Sequence, residues 1–431
     1  MKLPWLCVVM GLSGLLLFSG IAVAAESGDA AAVARALAGD EEIASAAWWG
    51  FDAEDATPFL QAAIDSGVKR LSIPFMGKPW IVRPLFLHSN LELIFEPGVV
   101  LLAKKDQFKG KSDSLITARN CENIKLSGYN ARLVMNKRDY QSDAYEAAEW
   151  RMTLNFVGCT NIHVEGLRLE ASGGDGIYLG ASSEQPYCKN VVIRDVACLN
   201  HHRQGISVIS ADSLLIENCE LSGTQGTAPQ AGIDLEPNRD NERLVNVVIR
   251  NCTMAGNKGS GILLYLRPLR ASSTPLSILF ENCHIRNGLD HGITVGALGD
   301  DGPGGSIVFR NCTVEHTRRS GINVYDKSAS AAQVHFIDCH LNAVAEKHKE
   351  VAPVQLSLNR ESIATRHGGI YFDECVVYDT LDRPVLKSSE KEGDKGVHGL
   401  EGSLRREGPG AARMVLAPES TGCSLQLLSD D

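Results

Sequence analysis

The side chains of this chain best suited to chemistry fall within one short stretch. Asp234 and Glu236 stand two apart in GIDLEP, Asp175 lies upstream in GGDGIYLG, and His201, His202, Arg203 and Gln204 come between them in NHHRQGISV. Side chains alternate along a strand, so Asp234 and Glu236 share a face with backbones roughly 6.5–7 Å apart. Their carboxyl groups can then adopt the separations used by either retaining or inverting glycosidases. Two such groups in a low-dielectric groove acquire unequal proton affinities, giving one acid and one base. A histidine titrates near neutrality and can act as acid or base. Arg203 can hold a substrate carboxylate through two parallel hydrogen bonds. With His202 or Tyr178 as base, that pairing would instead serve proton abstraction beside the carboxylate. The bland uses of the same residues are a solvated acidic strand face, a Ca²⁺ site formed with Asn238, and a turn capped by histidines with Arg203 paired to Asp175 or Asp234.

The elements that position these residues recur at nearly fixed spacing. Gly-Ile pairs begin at Gly176, Gly205, Gly232, Gly261, Gly292, Gly321 and Gly369, about 29 residues apart over the first six. Each is followed by a second strand pattern, most ending in Asn-Cys or its equivalent: Asn218-Cys219, Asn251-Cys252, Asn282-Cys283, Asn311-Cys312, Asp338-Cys339 and Glu374-Cys375. A period of this length marks a solenoid, propeller or array. The units are rich in β-branched residues and show almost no helical periodicity. They therefore predict a parallel β-solenoid whose rungs pair in register about 4.8 Å apart. In that register the first outward column is Tyr178, Ser207, Asp234, Leu263, Thr294 and Asn323. The second is Gly180, Ile209, Glu236, Tyr265, Gly296 and Tyr325. Asp234 and Glu236 thus sit in a polar patch flanked by Tyr178 and Tyr265, with Arg267, Asn323 and Tyr325 further along the same face.

Composition narrows the classes. The first 25 residues read as an export signal, with Lys2, an apolar run and Ala22-Val23-Ala24 as a cleavage site. Its removal leaves a net charge of −11, which argues against nucleic acid as a partner. No other stretch is long and apolar enough to span a membrane. The expectation is therefore an exported protein, periplasmic or extracellular, with no membrane partner after cleavage. Twelve cysteines suggest a disulfide framework for a secreted chain, but Cys7 lies in the signal and most others recur once per repeat beside Asn. They are expected to stack in the core as small hydrophobes, with the asparagines forming an amide ladder at the turns. The same ladder takes precedence over the glycosylation motifs at Asn251 and Asn311.

Residues 26–47 read as a flexible lead-in and 48–387 as the solenoid. A short helix after Asp55, with its apolar stripe Phe59, Leu60, Ala63 and Ile64, is expected to cap the open first rung. The segment Arg138–Arg151 breaks the repeat. It carries Tyr140, Tyr145, Trp150 and Arg151, which suit either sugar stacking beside a groove or packing on the solenoid surface. Residues 388–431 read as a flexible tail, with a late strand at RMVLA.

The series GDGIYLG, QGISV, GIDLEP, SGILLY and HGITV, with IENC, IRNC and FENC between, resembles right-handed parallel β-helix proteins of the pectin-lyase-like superfamily. DATPFLQAAIDSG and GKPWIVRPLFLHSNLELIFEPGVVLLAK are similar to the start of that group, so the resemblance covers roughly residues 48–387. It implies an all-β right-handed parallel β-helix and a carbohydrate-active protein. Its members include hydrolases, lyases, epimerases and phage depolymerases, so fold does not choose the reaction. Galacturonase-type hydrolases carry Asn-Thr-Asp, Gly-Asp-Asp and Gly-His-Gly, whereas only Gly-Asp-Gly is present here, at Gly174–Gly176. The epimerase Asp-Pro-His motif is replaced by Asp234-Leu235-Glu236-Pro237. The expected function is an enzyme acting on a polysaccharide, with hydrolysis preferred because carboxylates outnumber bases. Lyase or epimerase chemistry by proton abstraction is one alternative, and glycan binding without turnover is another. The catalytic candidates are Asp234, Glu236, Asp175, His202 and Arg203. The substrate contacts are Tyr178, Tyr265, Arg267, His201, Gln204, Trp150, Arg151, Asn323 and Tyr325. Ca²⁺ is the one cofactor the carboxylates admit.

Overall fold

The structure, a computed structural model, describes residues 26–388 and 396–429; the expected export signal lies outside them. Among the described residues a twelve-stranded parallel sheet runs from Leu85–Phe86 to Met414–Val415, and a 25-strand sheet winds over the remaining faces. The chain is a right-handed parallel β-helix. No helix among the described residues is long and apolar enough to cross a membrane.

The Gly-Ile pair explains the rung. The isoleucine points inward, and Ile177, Ile206, Ile233, Ile262 and Ile293 are wholly buried. The preceding glycine lies under the next rung. A Cβ at Gly176, Gly205 or Gly232 would stand 2.6, 2.4 or 2.7 Å from the following glycine's carbonyl oxygen. Only a residue without a side chain permits that approach. Register follows directly: Tyr178 pairs with Ser207, Ser207 with Asp234, Asp234 with Leu263, Leu263 with Thr294, and Thr294 with Asn323.

The opposite side of the coil is built of ladders. Asn251 donates to Asn218, Asn282 to Asn251 and Asn311 to Asn282, each through the side-chain amide. Each of these residues is left-handed, with φ between 48° and 55°, a conformation that asparagine tolerates better than most residues. The neighbouring cysteines Cys219, Cys252, Cys283, Cys312, Cys339 and Cys375 are buried and unbridged. Burial raises the Cys188 thiol to about 12, which makes it inert. Phe280, Phe309, Phe336 and Phe372 stack inside with ring centroids 5.0–5.1 Å apart.

At the N-terminal end two helices close the coil, α1 (Ala30–Ala38) and α2 (Thr57–Asp65). Ahead of α2, Asp55 accepts hydrogen bonds from the Thr57 amide and hydroxyl, while the N-cap residue Ala56 makes no side-chain cap bond. The segment expected to be a mobile lead-in is instead ordered: Asp29 caps α1 by accepting from Ala31 and Ala32, and Glu26–Ser27 pairs with Gly50–Phe51. Its alanines are small enough to pack closely, and Ala32, Ala36, Ala44 and Ala46 are buried. The expected flexible tail, 388–431, is also corrected over its described residues, 389–395 and 430–431 lying outside them. Val397–Glu407 pairs along His367–Tyr378, and Gln426–Ser429 adds a further strand. Polar composition there reflects exposed faces, while Val397, Leu400 and Leu404 are inward.

Candidate functional site

The groove strands Ile177–Gly180, Ile206–Val208 and Ile233–Leu235 bring Asp175, Arg203, Gln204, Asp234 and Glu236 together. Arg203 is the centre. Its guanidinium lies 3.0 Å from Glu236, 3.9 Å from Asp175 and 3.9 Å from Glu149. Burial opposes the arginine's charge, but Asp175, Asp234, Glu236 and Glu149 together hold its proton more firmly than usual. Because one planar guanidinium joins both partners, the Glu236 and Asp175 carboxyl groups stand no more than about 9 Å apart.

Gln204 fixes Asp234. Its side-chain amide donates to Asp234 Oδ2 at 2.8 Å, and its oxygen accepts the Ala231 N–H at 2.7 Å. Asp234 is wholly buried, and burial followed by the charge of Glu236 pushes its carboxyl well above the usual range. Burial also raises Asp175, to about 7, against the opposing effect of Arg203.

Several polar atoms here have no hydrogen-bond partner: both oxygens of Asp175, Asp234 Oδ1, Ser207 Oγ, Asn155 Oδ1 and Arg203 Nε. Buried polar groups are ordinarily satisfied, and a concentration of orphans marks a functional site or ordered solvent. Ser207, Asn155 and Glu149 were not picked out from the sequence as site residues. Ser207 and Asn155 stand in the same outward column as Tyr178 and Asp234, and that position was the available signal. Glu149 lies in the irregular loop, where no periodicity points to it.

The tyrosines line the groove. The Tyr178 ring lies over Gly180 and the Tyr325 ring over Gly296, where an added Cβ would strike each ring. Burial raises both phenols to about 12. Tyr265 is half-buried and pairs with Gly296, which pairs with Tyr325. Asn323 lies on the same strand as Tyr325, and Arg267 is exposed just past its strand.

Other candidates lie elsewhere. His201 is wholly buried, and its Nδ1 is 2.8 Å from the Ser172 hydroxyl. Burial and Lys137 lower it to about 3, so it is a neutral core histidine and not a groove contact. Arg151 is also wholly buried and donates to the carbonyls of Phe108, Lys109 and Glu146. Its guanidinium faces the rings of Tyr140 and Tyr145, so it clamps the loop and is not a substrate contact. Trp150 is 45% exposed and edges a cavity of about 440 Å³ with Glu149, His202 and Thr227. Both ring nitrogens of His202 are engaged, by Gln141 at 3.0 Å and Thr227 at 2.8 Å, and burial lowers its proton affinity.

The donor set does not fit Ca²⁺. Arg203 occupies the position among the carboxylates that a cation would need, and Gln204 donates to Asp234. No group of three or more metal-ligating side chains occurs among the described residues.

With this geometry in view, comparison places the chain among known folds. The family model described as "Right handed beta helix region" matches residues 151–274 and 274–352. The chain has the right-handed parallel β-helix fold that this model describes. The Bacillus subtilis protein YclG is 27% identical over 221 residues, 48% of this chain and 36% of that one, so the match spans about a third of the relative. The mannuronan C-5 epimerase AlgE4 A-module of Azotobacter vinelandii superposes with a TM-score of 0.61 at 15% identity, over 90% of this chain and 99% of that one. The family 28 exopolygalacturonase of Yersinia enterocolitica gives 0.56 at 13% identity, over 90% and 79%. At these identities the likeness is one of fold.

Proposed function

We propose that this protein is an exported enzyme that hydrolyses a polysaccharide bound along the groove strands. Structural neighbours with this fold include an epimerase and an exopolygalacturonase, which agrees with a polysaccharide substrate. The observation that carries the reading is the contrast between Asp234 and Glu236. Asp234 holds its proton, while Glu236 two residues on is ion-paired to Arg203. In this reading Asp234 gives its proton to the departing glycosidic oxygen; its Oδ1 has no hydrogen-bond partner within the protein. Glu236 acts as the carboxylate partner. Arg203 ties it to Asp175, and Gln204 holds the Asp234 rotamer. Tyr178 and Tyr325, lying flat on the sheet, offer ring faces to the sugars.

Proton abstraction is less well served by these residues. Tyr178 is held protonated by burial, and both nitrogens of His202 are occupied. The test is a panel of neutral and uronic-acid polysaccharides, followed for new reducing ends and for the ultraviolet absorbance of unsaturated products. Reducing ends alone, abolished by Asp234→Asn, are expected. Unsaturated products would overturn hydrolysis. Binding without turnover, unchanged in Asp234→Asn, would overturn the enzyme reading.

A further inference from the structure

Further along the coil the turns before the groove strands build a second cleft of about 590 Å³. Its near wall is formed by turns of three consecutive rungs. The amides of Lys258, Leu289 and Arg318 bond to the carbonyls of Thr224, Asn257 and Gly288 on the rungs before them. These three residues therefore occupy equivalent positions, about 4.8 Å apart per rung. The far wall is His348, Glu350 and Val351 of the insertion before the strand Val354–Ser357.

Charge in the cleft is not balanced. Arg319 pairs with Asp290 at 3.3 Å, and Glu350, beside His348, is the one further carboxylate of the lining against the two remaining cations. Lys258 and Arg318 are exposed and have no carboxylate partner among the described residues. The floor carries an independent sign of a missing ligand. Ser320 is wholly buried and lines the cleft, yet its hydroxyl has no hydrogen-bond partner, and neither has His291 Nδ1. Burial keeps His291 toward its neutral form, so it can supply an N–H donor without adding charge. Two free cations above two unfilled hydrogen-bonding groups suit an oxyanion more than a neutral hydroxyl cluster.

We propose that this cleft is a second binding site, for an anionic group, carboxylate or sulfate, carried on a sugar chain. Lys258 lies one rung beyond Asp234 and Arg318 three rungs beyond it, so the cleft extends roughly 5–14 Å along the axis from the carboxylate cluster. A chain reaching from Asp234 to Arg318 must span more than one sugar unit. The proposal rests on the polysaccharide reading of the groove for the sugar that bears the anion, but not on the reaction.

The experiment is therefore a binding measurement on the Asp234→Asn protein, by calorimetry. The probes are oligogalacturonate and oligomannuronate, a neutral glucan oligosaccharide of similar length, and sodium sulfate. At least one acidic oligosaccharide should bind, weaken tenfold or more in Arg318→Ala and in Lys258→Ala, and weaken steeply with salt. Both side chains are exposed, so these variants should fold as the parent does. Ser320→Ala should lower affinity severalfold at unchanged melting temperature. Equal binding of the neutral glucan, or affinities untouched by Arg318→Ala, would overturn the proposal. Sulfate binding as tightly as the acidic oligosaccharides would overturn the sugar-borne part. No turnover by the parent protein, with this binding intact, would count against the hydrolase reading alone.

Discussion

Two sides of the same coil solve opposite problems. On the ladder side, successive rungs repeat the same residue, and every copy satisfies the next: asparagine amides bond to asparagine amides and phenylalanine rings stack on phenylalanine rings. On the groove side, successive rungs differ. Ser207, Asp234 and Leu263 follow one another in one column, and buried carboxyl oxygens are left without partners. Repetition gives stability because each rung supplies what its neighbour needs. Variation within a single column places unlike groups side by side, which a chemical site requires. The difference also says where stability is given up. Buried charge beside orphan polar atoms is unfavourable unless a ligand completes it.

That contrast can be broken by substitution. Asp234→Asn should lower turnover by roughly 10²–10⁴-fold, the range for loss of a general acid, with the melting temperature unchanged or raised. Turnover assays and a thermal melt on one preparation check both halves. Phe309→Ala should do the reverse. It removes the middle of the stack and should cost ~3–5 kcal/mol in denaturant unfolding while leaving the Michaelis constant alone. Equal damage to activity from both variants would erase the distinction between the two sides.

Asp175 sharpens the comparison through pH. Its folded-state value of about 7 stands above the ordinary 3.8, so the folded protein holds this proton where the unfolded chain has released it. The stability that follows is fully present below about pH 3.8 and is lost as pH rises through about 7. Asp175→Asn should therefore stabilise the protein at pH 8 by ~1–4 kcal/mol and have little effect at pH 4. Paired denaturant titrations at the two pH values check the sign. A gain at pH 4 alone would refute it. The smallest effect belongs to the ladder: Asn282→Ala should cost ~1–3 kcal/mol, from the amide bonds to Asn251 and Asn311 and the left-handed turn.

Particular residues show how far the sequence carries. The Gly-Ile spacing and strict alternation gave the register of Tyr178, Ser207 and Asp234, because a strand face is decided by parity. Parity fails in turns. His201 and His202 are adjacent in a turn, and nothing local says that the first is buried at Ser172 while the second meets Gln141 and Thr227. Arg151 belongs to a loop whose path is set by distant carbonyls at Phe108 and Lys109, so its burial is a tertiary fact. The terminal segments misled for a compositional reason. Alanine runs and polar strands resemble linkers until the partner that covers them is known.

The glycine beneath each rung has an engineering consequence. Because Gly261 and Gly292 present the same flat contact to the rung that follows them, the coil is modular and could be lengthened by one whole turn. Duplicating the segment from Gly261 to His291 would set Arg318 one spacing further from both Lys258 and Asp234 while leaving the carboxylate cluster intact. The reach of the cleft would become a dial, and the shortest oligosaccharide able to grip Arg318 and the cluster together would lengthen with it.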